Sequence, residues 1–192
     1  MLIIKFIIKL ITKILSTGYF LRLLYNVDIG KHKMDFQTGF ASLLMKKSIK
    51  KYVKNGERVL DIGTGPYALH SIWMGKNMDV DAVATDINDE YIKNAVKVMA
   101  LNKVSFKIIK SDLFKNIKGR FEWAIFNPPD YRLVERLLEE APANIKLMLS
   151  MNLFYINRRK AEGIIKNSNY KVIDIMAEFL NPAKVFILEK KS

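Results

Sequence analysis

A glycine-rich turn and an acidic residue stand at the ends of two short apolar segments of this 192-residue chain. The turn reads Asp61-Ile-Gly63-Thr-Gly65 and continues to Ala68, and its glycines let the backbone approach a ligand closely. Asp86 ends the second apolar segment, and its carboxylate can accept the hydrogens of both hydroxyl groups of a ribose. These residues predict a site for a nucleoside-containing cofactor. Gly63, Gly65 and Ala68 also satisfy the G-x-G-x-x-A spacing of dinucleotide sites, so two cofactor classes stay open on this pattern.

The segments around these residues alternate between strand and helix patterns. Strands are predicted at 58–62, 80–85, 104–109, 121–126, 145–151, 171–177 and 184–189. Helices are predicted at 38–55, 66–76, 89–101, 131–140 and 158–167. Such alternation predicts an α/β fold, a Rossmann-like doubly wound and mostly parallel seven-stranded sheet, with the final hairpin adding a closing antiparallel strand. Ligands bind beyond the carboxyl ends of the strands in this architecture, where the residues above are expected.

Four segments, in chain order, carry a resemblance to a known family. They read VLDIGTG, ATD, SDLF and FNPP, and together they resemble the class I S-adenosylmethionine-dependent methyltransferases over about residues 38 to 190. Asp61, directly before the glycines, and Asn127-Pro128-Pro129, after the fourth predicted strand, favour this family over the dinucleotide-binding one. The resemblance implies S-adenosyl-L-methionine as the cofactor.

The resemblance also implies a set of cofactor-binding residues. They are Asp61, Gly63, Gly65, Asp86, Ile87, Asp112, Leu113 and Asn127. In the family, the glycine turn cradles the methionine part of the cofactor, and the acid at the position of Asp61 helps to hold its amino group. Asp86 matches the ribose-binding acid, Ile87 would lie against the adenine ring, and Asp112 would accept from the adenine amino group. An acidic residue at a strand end can also merely cap the next helix, and this alternative stays open for Asp86 and Asp112.

Asn127-Pro128-Pro129 resembles the signature of the amino-group methyltransferases within this class. The lone pair of an amide or of an exocyclic base amine is delocalised, so the nitrogen is a poor nucleophile until acceptors hold its two hydrogens. The Asn127 side-chain oxygen and the Pro128 carbonyl can be those acceptors and can orient the lone pair. The alternative is a proline-rich turn that only ends a strand.

The next two positions depart from the family pattern. The usual fourth residue is aromatic and stacks on the flat target group, whereas this chain has Asp130 and places Tyr131 one position later. Tyr131 could still cover a flipped base, and Asp130 could accept from a base edge or attract a cationic side chain. The candidate catalytic residues are therefore Asn127, Pro128, Pro129, Asp130 and Tyr131.

The charge of the chain is concentrated at its amino-terminal end. The formal net charge is +13, and residues 1–55 contain 11 basic and 2 acidic side chains. Such a surface attracts polyanions, RNA first among them, although a lysine-rich composition can also be a solvated surface without a partner. The sequence predicts a basic amphipathic extension over 1–37 and a methyltransferase domain over 38–192.

The first 25 residues predict an amphipathic helix with Lys5, Lys9 and Lys13 on one stripe. Its uninterrupted apolar runs are far shorter than the roughly 20 residues that a membrane span needs. We expect its apolar face to pack on the domain, and binding to a membrane surface is the alternative.

Composition removes several chemistries. The chain has no cysteine, which excludes disulfides, thiolate metal sites and cysteine nucleophiles, and its two isolated histidines predict no metal site. A removed secretory peptide is not indicated, so a cytoplasmic location is expected.

Further substrate or cofactor contacts are indicated outside these motifs. Lys31, His32 and Lys33 precede a Phe36-Gln37-Thr38-Gly39 turn, and Phe36 or Phe40 could cover the cofactor. Arg158-Arg159-Lys160, at the start of a predicted helix, could contact phosphate.

Three functions are compatible with the sequence. The leading hypothesis is methylation of an exocyclic base amine, adenine N6 or guanine N2, in structured RNA such as ribosomal RNA. The second is N-methylation of a protein glutamine or lysine side chain, with a small-molecule substrate also open. The non-enzyme alternative is an inactive RNA-binding or partner-activating module. The sequence leaves the oligomeric state undetermined.

Overall fold

The computed structural model describes residues 2–36, 38–152, 158–179 and 181–191. Its helices are α1 (Leu2–Leu15), α2 (Gly18–Tyr25), α3 (Phe40–Tyr52), α4 (Leu69–Asn77), α5 (Asp89–Leu101), α6 (Tyr131–Glu140) and α7 (Arg158–Asn167). Its strands are β1 (Arg58–Ile62), β2 (Asp81–Asp86), β3 (Lys107–Lys110), β4 (Trp123–Phe126), β5 (Lys146–Asn152), β6 (Tyr170–Ala177) and β7 (Ala183–Lys190).

The seven strands form one sheet in the order β3-β2-β1-β4-β5-β7-β6. Strands β1 to β5 pair in parallel, whereas β7 is antiparallel to both of its neighbours, β5 and β6. This confirms the predicted Rossmann-like sheet with a closing antiparallel strand. Because β4 returns to the other side of β1, the strand order reverses between these two strands, and a crevice opens at their carboxyl ends.

Helices α5 and α6 begin and end where the sequence predicts. Their starts are defined by a polar side chain that caps each amino terminus. Asn88 accepts from the backbone N–H groups of Glu90 and Tyr91 at the start of α5. Asp130 accepts from the N–H of Arg132 at the start of α6. The predicted bounds of β1 and α7 are likewise confirmed.

Four other element starts were predicted two or three residues too early, and β2 and β5 one residue too early. Helix α3 begins at Phe40 and not at residue 38. Helix α4 begins at Leu69 and not at residue 66, because Ala68 adopts a left-handed conformation with φ 43° that interrupts the helix. Strand β3 begins at Lys107, the first residue that pairs with β2, and β4 begins at Trp123, where its pairing with β1 starts.

Two apolar clusters, one on each face of the sheet, form the core. One cluster unites α2, α3 and α4 with the sheet and includes Leu21, Tyr25, Leu44 and Ile72, all buried. The other packs α6 and α7 against the opposite face. Helix α2 therefore shares the core of the domain, and the predicted boundary between an extension and a domain at residue 37 stays a prediction.

The amino-terminal segment differs from the single helix that was predicted. It forms two helices, because the chain turns at Ser16 and Thr17 has an extended backbone. The Ser16 hydroxyl accepts a hydrogen bond from the N–H of Thr38, 2.8 Å away, and also lies 2.9 Å from the Thr38 carbonyl oxygen. Thr12 lies against Gly39 and is buried. Helix α1 is thus fixed to the domain by its small polar side chains.

The prediction that the apolar face of α1 packs on the domain is wrong for Ile7, Leu10 and Ile14, whereas Ile11 and Leu15 of the same helix are half-buried. Ile7, Leu10 and Ile14 are exposed. They lie on the side of the helix opposite Thr12, as their spacing along a helix requires. None of the described helices is long and apolar enough to cross a membrane.

Candidate active site

A cavity of about 740 Å³ opens at the carboxyl ends of β1, β2, β3 and β4. The residues that follow these strands line it, and α1, α3 and the loop between α2 and α3 supply the rest of its wall. Predicted site residues in the lining are Asp61, Gly63, Gly65, Asp86, Ile87, Asp112, Leu113, Asn127, Pro128 and Pro129. Its size is in the range of small-molecule and cofactor sites.

The glycine turn after β1 forms the floor of the cavity beside Phe36. Gly63 and Gly65 have positive φ angles of 63° and 70°, a backbone conformation that favours glycine. A Cβ atom on Gly65 would lie 2.8 Å from Cζ of Phe36. The Gly65 N–H donates to the Asp86 carboxylate over 2.9 Å, which joins the turn after β1 to the end of β2.

Asp61 is a buried carboxylate at the base of this turn. It accepts hydrogen bonds from the hydroxyl groups of Thr64 and Ser71, each over 2.7 Å. Burial raises its pKa above the ordinary range, although the charge of His70 and the two hydroxyl donors oppose that shift. When it is ionised, the Asp61 carboxylate offers a negative charge suited to a cationic ligand group such as an ammonium, and no lysine or arginine among the described residues forms an ion pair with it.

Asp86 does not cap the helix that follows it, because Asn88 has that role in α5. Its two carboxylate oxygens accept from the backbone N–H groups of Gly65 and Asn88, each over 2.9 Å. Each oxygen retains capacity for a further hydrogen bond. Ile87, the next residue, is exposed at the cavity edge and offers an apolar surface there.

Asp112 lies at the cavity wall but has cationic partners. Arg136 donates to both of its carboxylate oxygens over 3.1 and 3.0 Å, and the Lys115 ammonium lies 2.7 Å away. Hydrogen bonds from Lys115 and Arg136 hold the pKa of Asp112 below its usual range. Leu113 beside it is buried, with a left-handed φ of 49°. Asp112 therefore keeps less capacity for a ligand than Asp86 does.

Asn127 projects from the end of β4 with its amide held from two sides. Its Oδ1 accepts from the Ser150 hydroxyl on β5, and its Nδ2 lies 3.5 Å from Ser42 Oγ on α3. Pro128 is buried and Pro129 is exposed, and both line the cavity. The amide oxygen can accept a second hydrogen bond, so one acceptor position remains for a ligand.

Asp130 and Tyr131 are not among the residues that line the cavity. The Asp130 carboxylate caps α6 and pairs with Arg132 over 3.2 Å, and the hydrogen bond from Arg132 lowers its pKa. The Tyr131 ring lies under the ammonium of Lys160, which is 4.0 Å from the ring centroid. These contacts favour structural roles for both residues. The side chains of Arg158 and Arg159, and the whole of Gln37, lie outside the described residues.

Several lining residues were not identified as site candidates from the sequence. They are Thr12, Ser42, His70, Tyr91 and Arg136. His70 Nε2 lies 3.1 Å from the Ser42 carbonyl oxygen, which connects α4 to α3 at the cavity wall. Phe36 lines the cavity as expected for one of two candidates, whereas Phe40 is not among the lining residues. A signal was available only for His70, whose position in the helix after the glycine turn could have been noted.

This doubly wound sheet, with an acidic glycine turn and an Asn-Pro-Pro segment at one crevice, defines the chain as a protein of the class I methyltransferase type. Residues 30–177 match the family described as methyltransferase small domain, and the chain belongs to that family. The family resemblance of the four sequence segments is thereby confirmed.

Curated relatives include enzymes named for different substrates. A ribosomal protein L11 methyltransferase of Caldicellulosiruptor saccharolyticus is 37% identical over 151 residues, which are 77% of this chain and 46% of that protein. A putative protein N5-glutamine methyltransferase of Methanocaldococcus jannaschii is 37% identical over 54% of this chain and 51% of its own. A ribosomal RNA small subunit methyltransferase C of Actinobacillus succinogenes is 30% identical over 61% and 36%, respectively. The chain thus spans about a third to a half of the length of these relatives.

Solved structures agree on the fold. A methyltransferase from Pyrococcus furiosus superposes with a TM-score of 0.78 at 21% identity, covering 94% of this chain and 96% of that one. A ribosomal protein L11 methylase from Lactobacillus delbrueckii superposes with a TM-score of 0.70 at 19% identity, covering 86% and 83%. At these identities the likeness describes the fold and not the substrate.

Proposed function

We propose that this chain is an S-adenosylmethionine-dependent N-methyltransferase that modifies an exocyclic base amine, adenine N6 or guanine N2, in structured RNA. The observation that carries the proposal is the lining of one cavity by two groups of residues. Asn127, Pro128 and Pro129, after β4, are one group, and the Asp61 turn with Asp86, at the ends of β1 and β2, is the other. We call the Asp61 turn with Asp86 the cofactor half and residues Asn127, Pro128 and Pro129 the acceptor half, and both line the same cavity.

The residues of the cofactor half fit S-adenosylmethionine. Buried Asp61 would bind the ammonium of the methionine part, and the glycine turn that follows it would bring its backbone against that part. Asp86 would accept from the ribose hydroxyls, while Ile87 and Leu113 would flank the adenine and Asp112 would accept from its amino group. When bound, S-adenosylmethionine supplies an electrophilic methyl group on a sulfonium.

The residues of the acceptor half fit a target amine or amide nitrogen. The Asn127 side-chain oxygen and the Pro128 carbonyl would each accept one hydrogen of the target NH₂ group. That pair of hydrogen bonds turns the nitrogen lone pair toward the cofactor half and increases its nucleophilicity. Because these acceptors polarise both N–H bonds, the nitrogen needs no separate general base before it reacts.

Lysines beside the cavity support an RNA substrate. Lys31 and Lys33 are exposed on the loop that leads to Phe36, and Lys93 and Lys97 are exposed on α5. Asn94 joins the two segments, because its side-chain amide donates to the His32 carbonyl over 3.1 Å. Together they form a basic surface next to Phe36 and Tyr91, where a phosphate backbone could bind. An RNA substrate also implies a cytoplasmic location.

A protein side chain is the second candidate substrate. A glutamine amide nitrogen needs the same two acceptors, because its lone pair is delocalised, whereas a lysine ammonium has to lose a proton before its nitrogen can react. Two of the relatives are named for protein substrates. The cavity does not distinguish a carboxamide from an amino-substituted ring, since both are planar NH₂ donors.

Methyl transfer to cell extract tests the proposal. The purified full chain is incubated with S-adenosylmethionine that has a radioactive methyl group and with total extract, and the product is divided between nuclease and protease. We expect label that nuclease alone removes. Label that protease alone removes would transfer the assignment to a protein substrate, and an absence of label in every fraction would favour the inactive module.

Two variants refine this assay. Asn127→Ala is expected to bind cofactor but to transfer no label, which distinguishes catalysis at this site from contamination. Lys31→Glu/Lys33→Glu is expected to weaken RNA binding at least about tenfold and to flatten its salt dependence. The matched control is Lys54→Glu/Lys107→Glu, because these exposed lysines precede β1 and begin β3, at the opposite edge of the sheet.

A further inference from the structure

The outward surface of α1 and α2 carries a stripe of exposed apolar side chains, which we call the outer stripe. Its members are Ile7, Leu10, Ile14, Tyr19 and Leu23. Each is between 42% and 73% exposed. Scattered exposed apolar residues are ordinary in proteins, but five between residues 7 and 23, on two consecutive helices, are a dense group of the kind found on surfaces that contact a partner.

The outer stripe is exposed because α1 is attached to the domain by its other side. Thr12 lies against Gly39, and the Ser16 hydroxyl is bonded to Thr38. In α2, Leu21 and Tyr25 enter the core, which directs Tyr19 and Leu23 outward. The stripe is therefore held in place by buried contacts on the opposite side, and it does not depend on a partner for its orientation.

Two exposed basic side chains, Lys13 and Arg22, accompany the outer stripe. The first 27 residues contain four basic residues and no acidic one. Lys13 is exposed next to Ile14, and Arg22 is exposed one position before Leu23, with Asp28 3.7 Å from its guanidinium. An apolar stripe with lysine and arginine at its margins is the pattern of helices that lie in the interface of an anionic bilayer.

We propose that α1 and α2 bind the surface of a membrane that contains anionic lipid. The outer stripe would enter the boundary between headgroups and acyl chains, and Lys13 and Arg22 would contact the headgroup phosphates. Tyr19 suits that depth, because its ring is apolar and its hydroxyl is polar. Helix α1 would lie parallel to the bilayer, since its 14 residues span only about 21 Å.

An RNA or a second copy of the chain fits the outer stripe less well. RNA phosphates would contact the lysines but would leave five apolar side chains in water. A second copy would bring two basic segments together, and their charges would repel each other. The proposal stands apart from the proposed methyl transfer, because it concerns the surface opposite the Thr12 wall of the cavity and needs no substrate.

Sedimentation with lipid vesicles tests the proposal on the full chain. Wild type is mixed with vesicles of phosphatidylcholine alone or of phosphatidylcholine with phosphatidylglycerol. We expect the protein to pellet with the anionic vesicles and to bind neutral ones at least about tenfold more weakly. Ile7→Asn/Ile14→Asn is expected to lower binding to anionic vesicles at least about tenfold, because two side chains no longer enter the apolar boundary.

The matched control is Val96→Asn/Leu101→Asn, which changes two exposed apolar residues on α5 and is expected to bind as wild type does. Lys13→Glu is expected to weaken anionic binding and to leave the weak neutral binding unchanged. Thermal unfolding establishes that each variant is folded.

Two results would overturn the proposal. One is vesicle binding that Ile7→Asn/Ile14→Asn leaves unchanged, since the outer stripe would then play no part. The other is an absence of vesicle binding together with self-association, seen in sedimentation velocity, that the same variant abolishes, because the stripe would then join copies of this chain. Neither result depends on methyl transfer, so the outcome is separable from that of the proposed function.

Discussion

Ser150 donates a hydrogen bond from its hydroxyl to the side-chain oxygen of Asn127, between the neighbouring strands β5 and β4. Ser150 is fully buried, whereas Asn127 reaches the cavity. The bond holds the Asn127 amide with its oxygen on the β5 side and its NH₂ group toward Ser42. Ser150 is thus a positioning residue for the proposed acceptor oxygen, although nothing in its local sequence marks it.

Removal of the acceptor side chain of Asn127 should lower kcat more than removal of the Ser150 hydroxyl that positions it. Asn127→Ala is expected to lower kcat at least about 100-fold, as loss of a preorganised hydrogen-bonding group does, while cofactor affinity changes little. Ser150→Ala removes one hydrogen bond worth about 1 kcal/mol, so we expect a fall in kcat of about fivefold with KM almost unchanged. Steady-state kinetics and calorimetric titration with cofactor measure both. Equal losses in the two variants would contradict the assigned roles.

Asp86→Ala should weaken cofactor binding. The variant loses the carboxylate that would accept two hydrogen bonds from the ribose hydroxyls, and we expect affinity to fall by about 10- to 100-fold. It also frees the N–H of Gly65 in the turn, so a lower melting temperature should accompany the loss. The control is Asp89→Ala, which removes an exposed carboxylate that pairs with Lys110 on the surface. Unchanged cofactor affinity in Asp86→Ala, measured by calorimetry, would refute its role.

Asp61→Asn should raise the free energy of unfolding of the ligand-free protein and, at the same time, weaken cofactor binding. Because burial raises the pKa of Asp61, the folded state binds its proton more tightly than the unfolded state does. The free energy of unfolding therefore falls as the pH rises from the unfolded pKa, about 3.9, through the raised pKa, and it stays lower above that pH. Asparagine avoids this cost at neutral pH and can still accept from Thr64 and Ser71, so the ligand-free variant should be more stable than wild type.

The same variant should bind cofactor at least about tenfold more weakly at neutral pH, because the ammonium loses its charged partner. For wild type, cofactor affinity should decrease as the pH falls through the raised pKa of Asp61. Urea unfolding and calorimetry over a pH series measure the two effects. A stability loss in Asp61→Asn without cofactor would show that the charge is compensated inside the protein.

Gly65→Ala should lower the free energy of unfolding more than Gly56→Ala does, because both glycines have positive φ angles but only Gly65 has a side chain packed against it. Gly65 and Gly56 both have positive φ angles, 70° and 83°. A Cβ at Gly56 meets nothing within 4 Å, whereas one at Gly65 meets the Phe36 ring at 2.8 Å. We expect Gly56→Ala to cost about 1 kcal/mol from backbone strain alone. Gly65→Ala should cost about 1 to 2 kcal/mol more by denaturant unfolding, and Phe36→Ala should relieve that excess.

Asp174 on β6 should contribute stability that acid removes. A hydrogen bond from the Tyr52 hydroxyl, with one from the Lys51 ammonium, lowers its pKa to about 2. The folded state therefore binds this proton less tightly than the unfolded state, and the contribution is complete above the unfolded pKa of about 3.9. It is lost as the pH falls to about 2. Asp174→Asn should flatten the stability profile across that interval, whereas Glu139→Gln, an exposed change on α6, should leave the profile unchanged.

Deletion of residues 1–25 is a poor test of the basic segment, because it removes the buried Leu21 and Tyr25 from the core. Substitutions of exposed residues leave that core intact. Point variants at exposed positions therefore test RNA and membrane binding while the core stays complete.

Local sequence features predicted much of the fold, and the reasons are physical. Asn88 and Asp130 cap α5 and α6 through bonds to residues two or three positions ahead, so both starts could be read from adjacent residues. The bounds of β1 follow from an apolar run that ends at the glycine turn. Such features persist in any environment, which is why these elements agree residue for residue.

The strand-end position of the site was predictable for the same reason. Asp61 is the penultimate residue of β1, Asp86 ends β2 and Asn127 follows β4, and parallel strands bring their carboxyl ends to one edge. Asp130 and Tyr131 continue the same motif, yet they turn away into contacts with Arg132 and Lys160. Those partners come from side-chain packing, which the motif does not specify.

The sequence by itself determined the alternation of elements, the glycine turn and its acids, and the two-sided pattern of α1. Only the tertiary structure decided which side of α1 is buried, since Thr12 and Ser16 meet Gly39 and Thr38, more than 20 positions away, and leave Ile7, Leu10 and Ile14 exposed. It likewise decided that Ser42 and Ser150 hold Asn127 from two different elements. Periodicity fixes which residues share a face, whereas the surface that a face meets depends on contacts between distant parts of the chain.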